Sequence, residues 1–348
     1  MPLWTRALGA LFLLLAAGPA RAEPTVMLRI VGGLAGVSQY HRFEEPFWRE
    51  QVPALSGGRL QVSIQPWDRS GIRGQEMLQL MRLGVVPFGT ALLAVAAAEE
   101  PELNAVDLAV LSLDMATLRR NVAAYRPHIA ALLADRYDVE LLAIYTYPAQ
   151  VIFCRQPFAG LSDLAGRRIR TSSVGQSELV AALGSVGVVT GFAEITHALR
   201  TNVVDCAITG TLSGNAIGLH EITSHVHDFA INWGLSLFGA NRAAWQALPA
   251  PLRETLGREI AGLEARIWEA AEQETGEGLA CNAGRPGCVQ GRRGGMSVVP
   301  TGPADEARRI QLLTEIVLPG WVRRCGPECA EAWNSHLAAS VGLTVRGE

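Results

Sequence analysis

The 348-residue chain contains no lysine: its 30 basic side chains are all arginine, set against 33 acidic ones, for a formal charge of −3. That absence removes the chemistries that need an amine able to lose its proton: a Schiff-base lysine, a phosphate-loop lysine and a Ser–Lys nucleophile pair. Arginine stays charged at any working pH, so the cationic groups here bind anions and do not relay protons. The net negative charge and the scattering of arginines argue against a nucleic-acid partner. Nucleophile signatures are missing too. Gly175-Gln176-Ser177-Glu178 and Gly210-Thr211-Leu212-Ser213-Gly214 both fail the spacing of a G-x-S-x-G elbow. Gly32-Gly33-Leu34-Ala35-Gly36 does not follow the dinucleotide fingerprint G-x-G-x-x-G. With 18% charged and 49% hydrophobic residues, the composition is that of a folded globular protein.

The N-terminus reads as an export signal, residues 1–22. Arg6 supplies the positive start, 8–17 is a short apolar run, and Ala20-Arg21-Ala22 is a small-x-small cleavage site. That run is too short to span a bilayer, which takes about 20 apolar residues, and no later stretch is long enough without charge. The expectation is a periplasmic, soluble protein cleaved after Ala22. Its six cysteines, Cys154, Cys206, Cys281, Cys288, Cys325 and Cys329, then suit disulfides. Cys154 and Cys206 each end a β-branched run, Cys281 and Cys288 bracket a turn-forming loop, and about fifteen connectivities are open in principle. A zinc site from the last four is the alternative, but neither CxxC pairs nor histidines stand at ligand spacing.

Strand patterns over 26–31, 60–66, 85–93, 139–145, 150–154, 167–171, 187–190 and 203–209 alternate with helical ones, which implies an α/β architecture. A helix is expected over 115–133, interrupted at Tyr125-Arg126-Pro127. Leu252, Leu256, Ile260, Leu263 and Ile267, at spacings of three and four, mark one face of a long helix over 245–277. Further helices are expected over 43–55 and 305–316, with 284–295 as a surface loop. The histidines of 220–228 suggest metal, yet His220 and His225 are five apart and fall on different helix faces. His225 and His227 share a strand face, which leaves an exported metal-assisted hydrolase as an alternative function.

The segment 161–210 is the most informative. It reads Leu161-Ser162-Asp163-Leu164-Ala165-Gly166-Arg167-Arg168-Ile169-Arg170, then Phe192-Ala193-Glu194, then Ala198-Leu199-Arg200-Thr201-Asn202-Val203-Val204-Asp205. Together with Asn241-Arg242-Ala243-Ala244-Trp245-Gln246-Ala247-Leu248-Pro249 and Gly74-Gln75-Glu76-Met77, it resembles the solute-binding proteins of tripartite ATP-independent periplasmic (TRAP) transporters. The resemblance covers nearly the whole chain after the signal. It implies a two-lobed periplasmic-binding-protein fold, type II-like, with a long C-terminal helix bridging the lobes. The expected division is 23–147 plus 236–275 for one lobe with the bridging helix, and 148–235 plus 276–348 for the other. It implies no enzyme activity and no cofactor, a small organic acid as ligand, and a monomer that delivers it to a membrane permease; a ligand-sensing receptor subunit without transport is the alternative.

In the family the last arginine of this strand grips the ligand carboxylate, and Arg170 holds that position. Alternation puts Arg168 and Arg170 on one face, but only Arg170 lies at the strand's C-terminal end, where ligands of open α/β sheets sit. Arg168 is expected to pair with Glu194 or Asp205. The chain departs from the family where a second arginine is common and Gln150 stands instead. It departs again where Cys206 replaces a glycine and Thr209 lies in a run lacking the ligand-contacting asparagine. Neutral Gln150 and Thr209 add hydrogen bonds without a second charge, which points to a monocarboxylate. Tyr147 and Trp233, at the expected chain crossings, are candidates to stack on the ligand, with Thr90, Trp67 and Arg73 as further cleft residues.

Overall fold

The computed structural model describes residues 25–347; the expected signal and its cleavage site lie outside them. Eleven strands among the described residues form two mixed sheets. The first contains β1 (Val26–Gly32), β2 (Leu60–Pro66), β3 (Phe88–Leu92), β4 (Val139–Tyr145) and β10 (Ser236–Asn241), in the order β2-β1-β3-β10-β4. The second contains β5 (Gln150–Cys154), β6 (Arg168–Thr171), β7 (Val186–Val189), β8 (Cys206–Gly210), β9 (His225–His227) and β11 (Ser297–Val299), in the order β11-β9-β5-β8-β6-β7. The chain leaves the first sheet after β4, returns to it at β10, and leaves again through one helix, Ala250–Asn282.

β10 had no counterpart in the sequence pattern. It runs antiparallel between β3 and β4, and all six residues are buried, so neither face shows the alternation that marks a half-exposed strand. Its register shifts between Phe238 and Gly239. A Cβ on Gly239 would lie 2.8 Å from Val139 Cγ1 and 3.1 Å from the Glu140 carbonyl, so only glycine fits at this irregularity.

The Met115–Tyr137 helix is continuous through Pro127, which corrects the expected interruption. Leu118, Val122, Tyr125, Ile129, Leu132 and Leu133 are buried along one face, in a core that also holds Trp321 and Trp333. Packing of that stripe outweighs the one hydrogen bond a mid-helix proline removes. Asp114 caps its start by accepting from Thr117 N at 2.7 Å.

The long helix uses its predicted stripe against the first sheet: Leu252, Leu256, Ile260, Leu263 and Ile267 share a core with Phe47, Trp48, Leu60 and Tyr145. Its last turns lie against the Thr211–Ala216 helix, which follows β8 of the second sheet. There Thr211 Oγ1 donates to the Glu274 carbonyl (3.1 Å) and Asn282 Nδ2 to the Thr211 carbonyl (3.0 Å). One helix therefore packs on both halves. The six cysteines pair as Cys154–Cys206, directly across β5 and β8, Cys281–Cys288 and Cys325–Cys329.

The contact with the Thr211–Ala216 helix depends on Gly278, where a Cβ would overlap the backbone of Thr211 and Leu212. Gly276, two residues earlier and exposed, has nothing within 4 Å of a Cβ. Gly278→Ala should therefore destabilise the protein by about 2 kcal/mol or more through overpacking. Gly276→Ala should stabilise it by roughly 0.5–1 kcal/mol through helix propensity alone. Urea unfolding of the two variants reads the difference.

Candidate functional site

The parallel strands β1, β2, β6, β7 and β8 all point their C-terminal ends at one space between the sheets, the position where open α/β folds bind ligands. The space is a cavity of about 580 Å³, within the roughly 300–1,000 Å³ range of small-molecule sites. Its first-sheet wall is apolar, with Leu34, Val37, Trp67, Leu92 and Val95. Its second-sheet wall is polar, with Arg170, Gln150, Thr209, Thr190, Ser172 and Ser173. Tyr147 and Gly234 line it from the two chain crossings. Phe192 reaches across: it packs with Leu34, Val37 and Tyr147, and a Cβ on Gly36 would sit 3.3 Å from its ring.

Arg170 is 4% exposed. β6 directs its guanidinium over β7 and β8, where Nε (3.1 Å) and Nη2 (2.6 Å) donate to the Thr190 carbonyl and Nη1 (2.8 Å) donates to the Ile208 carbonyl. Among the described residues no carboxylate stands within ion-pair distance of it. Burial pushes its pKa down to about 10, and the nearby Glu194 charge opposes that shift in part; it remains a cation at neutral pH. Backbone carbonyls orient the fork without neutralising it. Three of the donors are used, out of about five that a guanidinium carries.

Arg168, on the same strand, is half-exposed and is taken up by Asp205, with Nη2 to Oδ1 at 2.7 Å and Nε to Oδ2 at 3.1 Å. Arg73 lines the rim and lies 3.6 Å from Glu76, both largely exposed. Among the described residues Arg170 is thus the one buried cation in the lining. Three further polar atoms of lining residues, Trp67 Nε1, Tyr147 Oη and Thr190 Oγ1, are buried without a hydrogen-bond partner among the described residues, as expected where a ligand completes the hydrogen bonding.

Of the residues singled out from sequence, Arg170, Gln150, Thr209, Tyr147, Trp67 and Arg73 all line this cavity. Trp233 and Thr90 do not. The Trp233 indole donates to the Ser112 carbonyl at 2.9 Å, and its backbone N–H to Asp107, which makes it part of the crossing's packing. Thr90 sits behind the cavity, where its hydroxyl approaches Glu44 at 3.5 Å. His225 and His227 share a face as alternation requires, but both pack on the Phe158 ring, and His227 Nδ1 accepts from Phe229 N at 2.9 Å. Neither lines the cavity, and no group of three metal-ligating side chains converges among the described residues. Ser172, Ser173, Thr190 and Phe192 were not assigned from sequence. Ser173 carried the one local signal, since it caps the Val174–Ala182 helix by accepting from Gln176 N.

Two sheets joined by crossings, with a cation buried in the cavity between them, are the frame of a two-lobed solute-binding protein. The chain belongs to the bacterial extracellular solute-binding protein family 7 (DctP), whose model matches residues 38–283, and is thus a TRAP-type solute receptor. Solved structures share its fold. Bordetella pertussis DctP7, an extracytoplasmic solute receptor binding pyroglutamic acid, is 24% identical over 89% of this chain and 99% of its own, with a TM-score of 0.78. A TRAP periplasmic solute-binding protein from Desulfovibrio salexigens, with bound orotic acid, is 17% identical over 91% and 98%, with a TM-score of 0.78. One from Shewanella oneidensis, with bound succinate, is 18% identical over 88% and 98%, with a TM-score of 0.75. No curated sequence matches the chain significantly.

Behind the cavity wall Glu44 is fully buried and accepts from Gly33 N (2.9 Å) and Gln39 Nε2 (2.7 Å). Burial pushes its pKa up to about 7, against the pull of those donors. A raised acid pKa means the folded state binds the proton more tightly than the unfolded one, so this group's contribution to stability grows as pH falls from about 7 towards 4.5. Glu44→Gln should therefore stabilise the protein at pH 8, by roughly 3 kcal/mol at most, and flatten the melting temperature between pH 5 and pH 8. The buried Gln39 Oε1, unpartnered in the present arrangement, can turn to receive the new amide. Melting curves across that pH range check it.

Proposed function

We propose that this protein captures a small organic acid, with one carboxylate, between two lobes and delivers it to the membrane permease of a TRAP transporter. The supporting observation is the Arg170 guanidinium, buried and oriented by two carbonyls in a lobe-facing cavity yet left without a carboxylate of its own. A ligand carboxylate supplies the missing charge, and the planar fork allows two parallel charge-assisted hydrogen bonds. A single buried cation and neutral Gln150 and Thr209 suit one carboxylate better than two. The apolar wall of Trp67, Leu34, Leu92 and Phe192 suits a ring or short carbon chain beneath it. The solved relatives with pyroglutamate and orotate carry ligands of that kind, and those with succinate and malonate mark the dicarboxylate alternative.

The lobes in this reading are 23–147 with 236–275, and 148–235 with 276–348, closing about the crossings at Tyr147 and Gly234. Export by the 1–22 signal, with cleavage after Ala22, places the chain in the periplasm as a monomeric receptor. Its role is binding, not catalysis.

Calorimetric titration with pyroglutamate, orotate, succinate and malonate tests the reading. The monocarboxylates should bind more tightly than the two dicarboxylates. Arg170→Ala should weaken binding by about 100-fold or more, as loss of one partner of a desolvated ion pair does. Arg170→Lys should recover little of it, because a point charge lacks the fork. An Arg170→Ala variant that binds as tightly as the parent would overturn the assignment.

A further inference from the structure

Gln150 on β5 and Arg170 on β6 flank β8 from its two sides, paired with Gly210 and Ala207 respectively, and the Gln150 amide has two ends of opposite polarity. Which end faces the cavity decides what the site reads there. The surrounding hydrogen bonds settle it, because they form a directed chain anchored at both ends by groups whose polarity is fixed. At one end the Ser172 backbone N–H, which only donates, gives to Gln176 Oε1 at 2.7 Å. Gln176 must then turn its Nε2 the other way, and it donates to Gln150 Oε1 (3.0 Å) and to Asn232 Oδ1 (2.8 Å). At the other end Asn232 Nδ2 donates to the Asp107 carboxylate at 3.0 Å, which holds Asn232 Oδ1 towards Gln176. Asp107 is itself set by the backbone N–H groups of Trp233 (2.9 Å) and Gly234 (2.7 Å). Gln176, Asn232 and Asp107 are all buried. Turning either Gln176 or Asn232 over would set two donors or two acceptors against each other in a buried setting, at a cost of about 1–3 kcal/mol for each group left unpaired.

We propose that this relay locks Gln150 as a hydrogen-bond donor into the cavity, with Nε2 presented to the ligand and Gln176 as the residue that sets the polarity. Gly234 leaves room for that end of the amide: a Cβ at 234 would overlap Gln150 Nε2. The inference rests on the capture of a carboxylate by Arg170 and adds a second requirement. The ligand must offer an oxygen acceptor at Gln150, either the other carboxylate oxygen or a carbonyl on its body. A ligand that turns an ammonium group to this point meets like polarity and is rejected. The site therefore reads an acceptor without a second positive charge, and it favours a lactam or keto acid over the zwitterion of an amino acid.

Pyroglutamate and proline form the probe pair, because they share a ring and a carboxylate but differ by a carbonyl against an ammonium. The parent should prefer pyroglutamate. Gln150→Glu, which keeps the acceptor towards Gln176 and replaces the donor facing the cavity, should lower the pyroglutamate-to-proline affinity ratio by about tenfold or more. Gln150→Met should weaken pyroglutamate without favouring proline. Gln176→Met acts through Gln150, so it should weaken pyroglutamate several-fold in the parent and hardly at all in the Gln150→Met background. A ratio that stays the same or rises in Gln150→Glu, while Arg170→Ala still abolishes binding, overturns the donor assignment alone. Equal effects of Gln176→Met in both backgrounds overturn the relay. A parent chain that binds neither pyroglutamate nor orotate overturns the monocarboxylate reading and this inference together. Melting curves of the unliganded variants separate these outcomes from misfolding: a Gln150→Glu variant that melts with the parent must show the ratio change.

Discussion

The Asp107 carboxylate is the point on which the two halves of this molecule are tied. It ends the Pro101–Asp107 segment on the first-sheet side and takes the N–H groups of Trp233, Gly234 and Leu235 as the chain returns from the second sheet. It accepts from Asn232 Nδ2 as well. A buried carboxylate without a cation is costly, and burial pushes its pKa up to about 6 in spite of those donors. What the arrangement supplies is direction. Backbone N–H groups converging on one acid fix the crossing strand, and the crossing strand aims Asn232 at Gln176. The neighbouring bonds Gln150 N to Asn232 O, and Ile231 N to Gln150 O, both at 2.8 Å, hold the two crossings side by side.

From that tie the two cavity walls inherit opposite characters. The first-sheet wall comes from residues just beyond β1 and β2 and at the end of β3, where apolar chains follow the strands. The second-sheet wall comes from the ends of β6, β7 and β8, where short polar residues and backbone carbonyls are close enough to receive an arginine. Arg168 and Arg170 show how strongly position outweighs residue type. They share a strand and a face, yet one is paired with Asp205 and the other is held by the Thr190 and Ile208 carbonyls, with no acid within ion-pair distance among the described residues. A buried cation oriented by carbonyls alone lowers the stability of the unliganded fold, and such a local conflict is what a binding site looks like in physical terms.

The legible part of the fold was the part with periodicity: the half-exposed strands, the five-residue stripe of the long helix, and the strand-helix alternation that implied α/β. What stayed hidden had its cause in tertiary contact. β10 is buried on both faces and interrupted at Gly239, so it carries no pattern. The Met115–Tyr137 helix passes through Pro127 because its apolar face is held by the C-terminal tryptophans, more than 180 residues away along the chain. Cys154 and Cys206 were placed on strand ends by composition, but only the β5–β8 register makes them partners.

The site divides in the same way. The place of Arg170 in the cavity was legible because a motif and a strand end coincide there. Trp233 misled because an aromatic residue at a crossing satisfies both a stacking role and a packing role, and the choice lies with a distant carbonyl, that of Ser112, which receives the indole N–H. Gln150 is the harder case. Its identity could be read as a neutral substitute for a second arginine, but its function depends on which end of the amide faces inward. That polarity is not a property of residue 150. It is set at Ser172 by a backbone N–H, at Gln176 by one helix turn after the Ser173 cap, and at Asp107 by an acid in the other half of the molecule. A glutamine replacing an arginine removes a charge, and the network around it decides whether the site keeps the arginine's preference for acceptors. On the relay we propose it does, and a departure from two arginines would then alter the ligand's charge without altering the polarity of the atom it must present.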